Sequence, residues 1–345
     1  MHYHPRARLA ASLLPLGLAA LQAPALAQSN LQVFGTLDMN LTYTRAGGKS
    51  NTAMDQGANL MPSRLGFRGS EDLGSGLSAS FWLESALLPD TGQVQGAFFH
   101  RRSTLSLASQ SWGELRLGRD YTPTFWNISQ FSAFGTVSVG GSSNIVEGYP
   151  MGLGGANTLV RSNNSLGYFL PKNPWGIYGQ AMMNFSEGQQ NTRFRGARLG
   201  YAQGAADMAL AYGSTRIASG SYRVLSLGGS YRLPFAKLYA NWLRHSAPGE
   251  HQTNVMLGAT VPAGTGEVKL SVARSQRGGQ SVERSGANQY AVGYVHPLSK
   301  RTAVYGMLSR ISNQGSATYV TSDSSPEARP GGMASGVQFG ISHNF

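Results

Sequence analysis

The sequence contains no cysteine among its 345 residues. A disulfide framework and thiol chemistry are therefore both excluded. Charged residues are also scarce, at 13% of the chain, whereas glycine is abundant, with 45 residues. Few charges and many turn-forming glycines are typical of an all-β chain, and they argue against a helical or α/β enzyme.

Long apolar runs are missing as well. After residue 27, nothing approaches the roughly 18 consecutive apolar residues of a membrane-spanning helix. The apolar segment at 9–21 lies between the basic Arg6 and Arg8 and the small-residue site Ala25-Leu26-Ala27. This three-part pattern is typical of a secretory signal peptide. We therefore expect residues 1–27 to be a cleaved signal peptide and residues 28–345 to form one domain.

Motifs that carry chemistry are also missing. The seven histidines show no metal-ligand spacing, no G-x-S-x-G motif occurs, and GGKS at 47–50 has Tyr43 where a phosphate loop needs its first glycine. The formal charge is +12, but basic residues are spread singly rather than in a stripe. The sequence therefore predicts no catalytic centre, no metal, no cofactor and no nucleic-acid partner.

The strongest pattern that is present has a period of two. In the last residues, Val337, Phe339 and Ile341 alternate with polar or small residues, and the alternation reaches Phe345. Such a pattern indicates a strand with one apolar face, and closure of a barrel would give this strand a partner on both sides. A soluble β-sandwich would also alternate, but its polar face would usually be richly charged.

The same alternation recurs along the chain, between turn clusters and longer polar stretches. About sixteen membrane strands of roughly 9–11 residues would use about half of the mature chain, leaving turns and loops of plausible size. Polar stretches such as 44–59 and 273–288 are predicted to be loops. A longer segment, 121–159, has little periodicity, and its Phe125, Trp126 and Phe134 indicate that it packs on something.

Five segments carry a resemblance to a known family: SRLGFRGSEDLGSGLSASFWLES (63–85), RRSTLSL (101–107), ELRLGRDYTP (114–123), RSNNSLGY (161–168) and GVQFGISHNF (336–345). They resemble the Gram-negative general porins, above all the trimeric diffusion porins of β-proteobacteria. The resemblance implies an all-β, transmembrane antiparallel barrel of sixteen strands in the outer membrane. It also implies a homotrimer and a third extracellular loop folded into the pore, and the segment 121–159 lies where that loop belongs.

Charged side chains of the strands must face the water-filled lumen, because Arg or Lys near the lipid midplane costs roughly 2–4 kcal/mol. With Leu65 and Phe67 outward, Arg64 and Arg68 point inward. The same alternation places Arg102 and Arg161 at inward-facing positions. Arg119 falls at an outward-facing position, at the end of its strand.

In related porins, wall arginines oppose acidic residues at the constriction. By this resemblance, the basic side is predicted to comprise Arg64, Arg68, Arg102, Arg119 and Arg161, and the acidic side Asp38, Asp120 and Glu147. The alternative is that these arginines are only solvated wall residues.

The chain departs from the family in having only Glu147 within the 121–159 segment. Unopposed cations in a narrow passage concentrate anions. We therefore predict passive diffusion of ions and small hydrophilic solutes with a weak anion preference. A solute-specific porin with an aromatic track, or a barrel-anchored adhesin or enzyme, remains as an alternative. The resemblance also implies contact with outer-membrane lipid and lipopolysaccharide, and a final strand ending at Phe345 that the barrel-assembly machinery reads.

Overall fold

The structure is a computed structural model, and it describes residues 30–54 and 60–345. The predicted signal peptide, residues 1–27, lies outside the described residues. Within them, no helix is both long enough and apolar enough to cross a membrane.

Eighteen β-strands and three short helices make up the described chain. The strands are β1 Gln32–Ala46, β2 Lys49–Met54, β3 Arg64–Gly74, β4 Leu77–Leu88, β5 Gln93–Val94, β6 Arg102–Ser109, β7 Gly113–Tyr121, β8 Arg161–Phe169, β9 Ile177–Asn184, β10 Phe194–Gln203, β11 Ala206–Ile217, β12 Gly220–Arg232, β13 Lys237–Ala247, β14 Glu250–Ala263, β15 Gly266–Gly279, β16 Ser285–Pro297, β17 Thr302–Gln314 and β18 Met333–Asn344. The helices are α1 Pro123–Gln130 and two 3₁₀ turns, Ser142–Ile145 and Leu153–Gly155.

Sixteen of these strands form a closed antiparallel barrel, while β2 and β5 are short pieces beside the connections. Each barrel strand pairs with its neighbour along the chain, from β3 with β4 to β17 with β18. The ring closes at β1, which pairs with β18 over Thr36↔Asn344 to Ala46↔Ala334 and with β3 over Gln32↔Arg68 to Thr36↔Arg64. The predicted barrel of sixteen strands is therefore confirmed.

The two faces of the barrel differ as the alternation predicts. In β1, Leu41 is 57% exposed, whereas its neighbours Asn40 and Thr42 are 4% and 0% exposed. Exposed apolar side chains outside and buried polar side chains inside are the arrangement of a membrane barrel, whose lumen is polar.

The segment 122–160, between β7 and β8, packs against the polar inner face of the opposite wall. Asn127 in α1 donates to the carbonyl oxygens of Ala209 and Ser226 on β11 and β12, at 2.9 and 3.2 Å. Gln252 and Asn254 of β14 both donate to the Ile145 carbonyl, at 3.1 and 2.9 Å. Because its backbone and side chains bond to the wall, the segment is seated against the wall and has a defined position.

Glycines on the inner face make room for this segment. A Cβ atom built on Gly228 of β12 would lie 2.2 Å from the Phe131 ring, and one on Gly336 of β18 would lie 2.9 Å from Val139. Phe131 and Val139 are both fully buried. Phe134 is also buried, and Phe125 and Phe134 each lie in an apolar cluster with wall residues. Both side chains therefore pack on the wall, as the sequence predicts.

Candidate pore constriction

An open passage of about 650 Å³ lies between the seated segment and the wall formed by β6 to β8. On the wall side it is lined by Arg101, Arg119 and Arg161. On the other side it is lined by residues of the 136–151 stretch and of the β17–β18 connection. We therefore take this passage as the candidate constriction of the lumen.

The wall side is organised around the phenol of Tyr121, at the end of β7. Arg101 and Arg161 both donate to the Tyr121 hydroxyl oxygen, each at 2.9 Å. The guanidinium of Arg161 also lies 4.4 Å from the centre of the Tyr121 ring, and its Nε donates to the Arg101 carbonyl at 2.9 Å. Two like charges are thus held side by side at the passage.

One buried carboxylate lies behind these residues. Glu84 of β4 accepts from Arg101 at 2.6 Å and from Arg64 at 3.3 Å, and it also accepts from the Trp82 indole at 3.0 Å. Since Glu84 carries a single charge, it leaves the Arg64–Arg101 pair with a net positive charge. Arg64 and Arg161 were predicted, and the structure brings both into this cluster.

Arg119 reaches the same passage despite its outward parity. The β7–β8 pairing shifts register between Gly118 and Asp120, where Gly118 has a φ of 122° that favours glycine. The Arg119 guanidinium donates to the His100 carbonyl and to the side chain of Asn163. Within the described ranges, neither Arg119 nor Arg161 has a carboxylate at ion-pair distance.

Arg102 and Arg68, also predicted for the basic side, lie elsewhere on the inner wall. Arg102 stacks on Trp82 at 4.5 Å and lies 3.7 Å from the Asp120 carboxylate. The Arg68 guanidinium lies over the rings of Phe34 and Trp82, 5.1 and 5.2 Å from their centres. Both line a second cavity of about 310 Å³, so the structure does not bring them into the passage.

The three predicted acidic residues are separated from one another, and each is bonded. Asp38 is buried in β1 and accepts from the Tyr305 hydroxyl at 2.6 Å. Asp120 forms its ion pair with Arg116 at 2.6 Å. Glu147 lines the passage, but its carboxylate lies 3.0 Å from Arg277 on β15.

Next to Glu147, Arg277 lies between two carboxylates, because Glu250 lies 2.7 Å away in addition to Glu147. Near this group, burial and the Glu147 carboxylate raise the pKa of the Tyr319 hydroxyl. Burial and the neighbouring Arg161 and Arg101 lower the pKa of His100 to about 4. Both groups are therefore uncharged at neutral pH, and the permanent charges of the passage are its arginines and carboxylates.

Three members of the cluster, Arg101, Glu84 and Tyr121, were not predicted. Arg101 precedes β6, so strand parity assigned no face to it, although it stands directly beside Arg102 in the RRSTLSL segment. Glu84 shares the inward parity of Trp82 in the segment SFWLES, and this signal could have identified it.

No group of three or more His, Asp or Glu side chains within residues 30–54 and 60–345 has the geometry to hold a metal ion. The charged side chains of the passage are instead bonded to one another and to the wall. What this arrangement can do is set an electric field across a narrow, water-filled space.

Comparisons with known proteins agree with this geometry. A family model described as Gram-negative porin matches residues 13–316. Outer membrane porin protein 32 of Delftia acidovorans is 34% identical over 97% of this chain and 99% of that protein. A further outer membrane porin protein, from Bordetella pertussis, is 27% identical over 84% of this chain and 81% of that protein. A solved structure, the anion-selective porin from Comamonas acidovorans, is 33% identical, covers 92% of this chain and 100% of its own, and has a TM-score of 0.81.

These matches confirm the outer-membrane location and the passive channel function that the sequence predicts. They also confirm that the protein is not an enzyme, because the matched family consists of channels. The chain therefore belongs to the Gram-negative porins.

Proposed function

We propose that this porin prefers anions and that the preference arises at the passage beside Tyr121. The observation that carries the proposal is the pair Arg119 and Arg161, which line the passage without a carboxylate partner among the described residues. Across the passage, the lining carboxylates are those of Asp323 and Glu147, and the Glu147 charge is already engaged by Arg277. The passage is therefore more positive on one side than it is negative on the other, which raises the local anion concentration.

The similar structure that is described as anion-selective supports the proposal. The net charge of the whole chain does not carry it, because basic side chains outside the lumen do not contribute to the passage.

The test is the reversal potential of the purified protein in a planar bilayer with a KCl gradient. A potential of anion sign is the expected result. A potential of cation sign would leave the pore intact but contradict the charge assignment, because Glu147 and its neighbours would then dominate. Stepwise conductance should be present in either case.

Screening gives a second test of the same proposal. The Debye length falls from about 10 Å at 0.1 M salt to about 3 Å at 1 M. At a constant concentration ratio, the anion preference should therefore weaken as total salt rises. A preference that stays constant would indicate that the field of the arginines is not its origin.

We infer further that the protein works as a homotrimer and that it contacts outer-membrane lipid and lipopolysaccharide. Residues 1–27 serve as its cleaved export signal. The last strand, ending at Phe345, is the segment that the barrel-assembly machinery recognises. The antiparallel exchange of hydrogen bonds between Phe345 and Gly35, 3.1 Å in each direction, supports a role for Phe345 in closing the barrel.

A further inference from the structure

Tyr121 joins the seated segment to the basic wall of the passage. It is the last residue of β7, and its neighbour Thr122 caps α1 by accepting from the Phe125 backbone N–H at 3.4 Å. The Tyr121 ring is stacked on the Phe125 ring, with 5.1 Å between the centres and 11° between the planes. It also meets the Trp126 ring edge-to-face, with 5.4 Å between the centres. The first turn of α1 therefore sets the position of the Tyr121 ring.

The hydroxyl of Tyr121 is the part that reaches the guanidinium groups. Its oxygen accepts from Nη2 of Arg101 and from Nη2 of Arg161, each at 2.9 Å. These two bonds use the full accepting capacity of the oxygen. Hydrogen bonds from charged donors are also stronger than those between neutral groups. One phenol oxygen thus holds together two like charges that repel each other.

The two arginines depend on this oxygen to different degrees. Arg101 is buried, and the Glu84 carboxylate also holds it, at 2.6 Å. Arg161 is only half-buried, and its Nε, the inner nitrogen of the guanidinium, donates to the Arg101 carbonyl at 2.9 Å. In the part of the chain that the structure describes, the outer nitrogens of Arg161 bond to the Tyr121 hydroxyl alone. The outer end of Arg161 is therefore placed by Tyr121.

The proton of the Tyr121 hydroxyl remains available as a donor. Among the described residues no group accepts it, because both hydrogen bonds at this oxygen are bonds that the oxygen accepts. Two cationic donors polarise the O–H bond and strengthen it as a donor. Since Tyr121, Arg101 and Arg161 all line the passage, an anion there meets N–H and O–H donors on one side.

We propose that Tyr121 makes the recognition of anions depend on geometry as well as on charge. Its oxygen positions the Arg101 and Arg161 guanidinium groups side by side, and its hydroxyl proton is a further donor toward the permeating anion. The proposal rests on the proposed function and extends it from the number of charges to their arrangement. A field set by charge alone does not change when a neutral hydroxyl is removed, whereas a fixed set of donors does.

The experiment compares the full-length protein with Tyr121→Phe in planar bilayers. The substitution removes the hydroxyl, keeps every formal charge and leaves the ring in its stack on Phe125. In a KCl gradient we expect the anion-to-cation permeability ratio to fall roughly twofold, because a released Arg161 keeps its charge but no longer holds it at the passage.

A second readout compares two anions of equal charge. Nitrate is a planar oxyanion that accepts two parallel N–H bonds from one guanidinium, as a carboxylate does, whereas chloride has no such geometry. The nitrate-to-chloride permeability ratio under bi-ionic conditions therefore reports how the guanidinium groups are held, not how many there are. We expect this ratio to fall roughly twofold in Tyr121→Phe.

The matched control is Tyr168→Phe on the neighbouring strand β8. There the hydroxyl donates to the Trp112 carbonyl at 2.7 Å, in an exposed part of the barrel. Both permeability ratios of this control should equal those of the unmodified protein. Equal shifts in Tyr121→Phe and Tyr168→Phe would overturn the proposal, and so would unchanged ratios in Tyr121→Phe.

A double-variant cycle tests whether Tyr121 acts through the guanidinium pair. In the Arg161→Gln background, Tyr121→Phe should shift the ratios by less than about half of its effect in the unmodified protein, because the side chain that it positions is gone. An undiminished shift would show that the hydroxyl acts through the fold of the segment and not through Arg161, and the proposal would then be wrong.

The two readouts separate this inference from the proposed function. A cation-sign potential of the unmodified protein in KCl contradicts the proposed function, whatever Tyr121→Phe does. The nitrate-to-chloride ratio tests Tyr121 independently of that sign. A lower ratio in Tyr121→Phe supports the positioning role even then, and an unchanged ratio beside an anion-sign potential refutes that role while leaving the proposed function intact.

Discussion

At the scale of single residues, Arg161 gives the clearest test of selectivity. It lines the passage and bonds to a hydroxyl and a carbonyl, so its removal breaks no ion pair among the described residues. Arg161→Gln should lower the anion-to-cation permeability ratio roughly two- to fivefold, which corresponds to about 0.5–1 kcal/mol for a charge several ångströms from the ion. Arg223→Gln makes the same chemical change on the outer surface and should leave the ratio unchanged.

The reversal potential in a KCl gradient measures both variants. An equal shift in the two would mean that selectivity follows total protein charge. No shift in either would place the selective region away from Tyr121.

His100 makes the pH dependence testable. Its pKa is lowered to about 4, so the imidazole is neutral between about pH 5 and 8 and gains a positive charge only below that range. Selectivity should therefore be flat from about pH 5 to 8. Below about pH 4, the protonated imidazole should add to the positive charge of the wall and strengthen the anion preference.

A pH series of reversal potentials, with His100→Gln beside the unmodified protein, isolates this group from the carboxylates that also titrate in acid. The part of the acid response that His100 supplies should be missing in the variant. A step centred near pH 6.5 that the variant lacks would show that the imidazole titrates as an ordinary, solvated histidine.

At the same scale, prediction from the sequence succeeded where strand parity applies and stopped where it does not. Arg64 and Asp38 have the inward direction that alternation predicts. Arg101 lies just before its strand, and Arg119 follows a bulge at Gly118. The alternation of inward and outward residues therefore does not predict the direction of either side chain. A local backbone irregularity changes the direction of a side chain without changing the composition of its segment.

At the scale of elements, the seating of the 122–160 segment depends on glycines in the wall. Gly228→Ala would place a Cβ atom 2.2 Å from the Phe131 ring, so the ring must shift. Overpacking of this kind costs roughly 1–3 kcal/mol. We expect the free energy of unfolding to fall by about that amount and the single-channel conductance to change, because the displaced segment borders the lumen.

The matched control is Gly278→Ala on β15, where the nearest atom to an added Cβ lies 3.7 Å away. Urea unfolding and single-channel recording measure the two variants together. Equal stability and conductance in Gly228→Ala and Gly278→Ala would show that Phe131 relaxes without cost and that the glycine is not needed for seating.

The bounds of elements show a second limit of sequence reasoning. The polar stretch 273–288 was predicted to be a loop, but β15 continues to Gly279 and β16 begins at Ser285. That prediction is wrong for most of the stretch, because these strands extend beyond the apolar belt, where outward positions are polar. The ends of β15 and β16 stay paired there, for example at Arg274↔Asn288, although neither end has an apolar face. The alternation of apolar and polar residues that indicates a strand is therefore absent from this part of the sequence.

At the scale of the whole molecule, the architecture was the most predictable feature. Every barrel strand contacts lipid on one face and the lumen on the other. Apolar and polar residues therefore alternate along nearly the whole sequence, and local irregularities do not hide this pattern. The charge balance of the passage could not be read in the same way. It depends on which carboxylates pair with which arginines across the lumen, as Glu147 does with Arg277, and these contacts follow from closure rather than from any local pattern.

Closure itself leads to the last prediction. Where β1 meets β18, Gly35 exchanges backbone hydrogen bonds with Phe345, and a Cβ atom on Gly35 would lie 2.3 Å from the Phe345 ring and 2.6 Å from the Arg64 carbonyl oxygen. In Gly35→Ala, a side chain and the backbone of β3 must both move, and a backbone atom yields less readily than a ring. We expect a loss of roughly 1–3 kcal/mol in the free energy of unfolding, larger than in Gly228→Ala, and slower refolding into lipid vesicles. Gly278→Ala again serves as the control.

A double variant separates the two contacts of Gly35. Phe345→Ala combined with Gly35→Ala should recover only part of the lost stability, because the contact with the Arg64 carbonyl oxygen remains. Full recovery in the double variant would mean that the ring alone makes this position intolerant, and an undiminished stability of Gly35→Ala would show that the closing strands adjust freely.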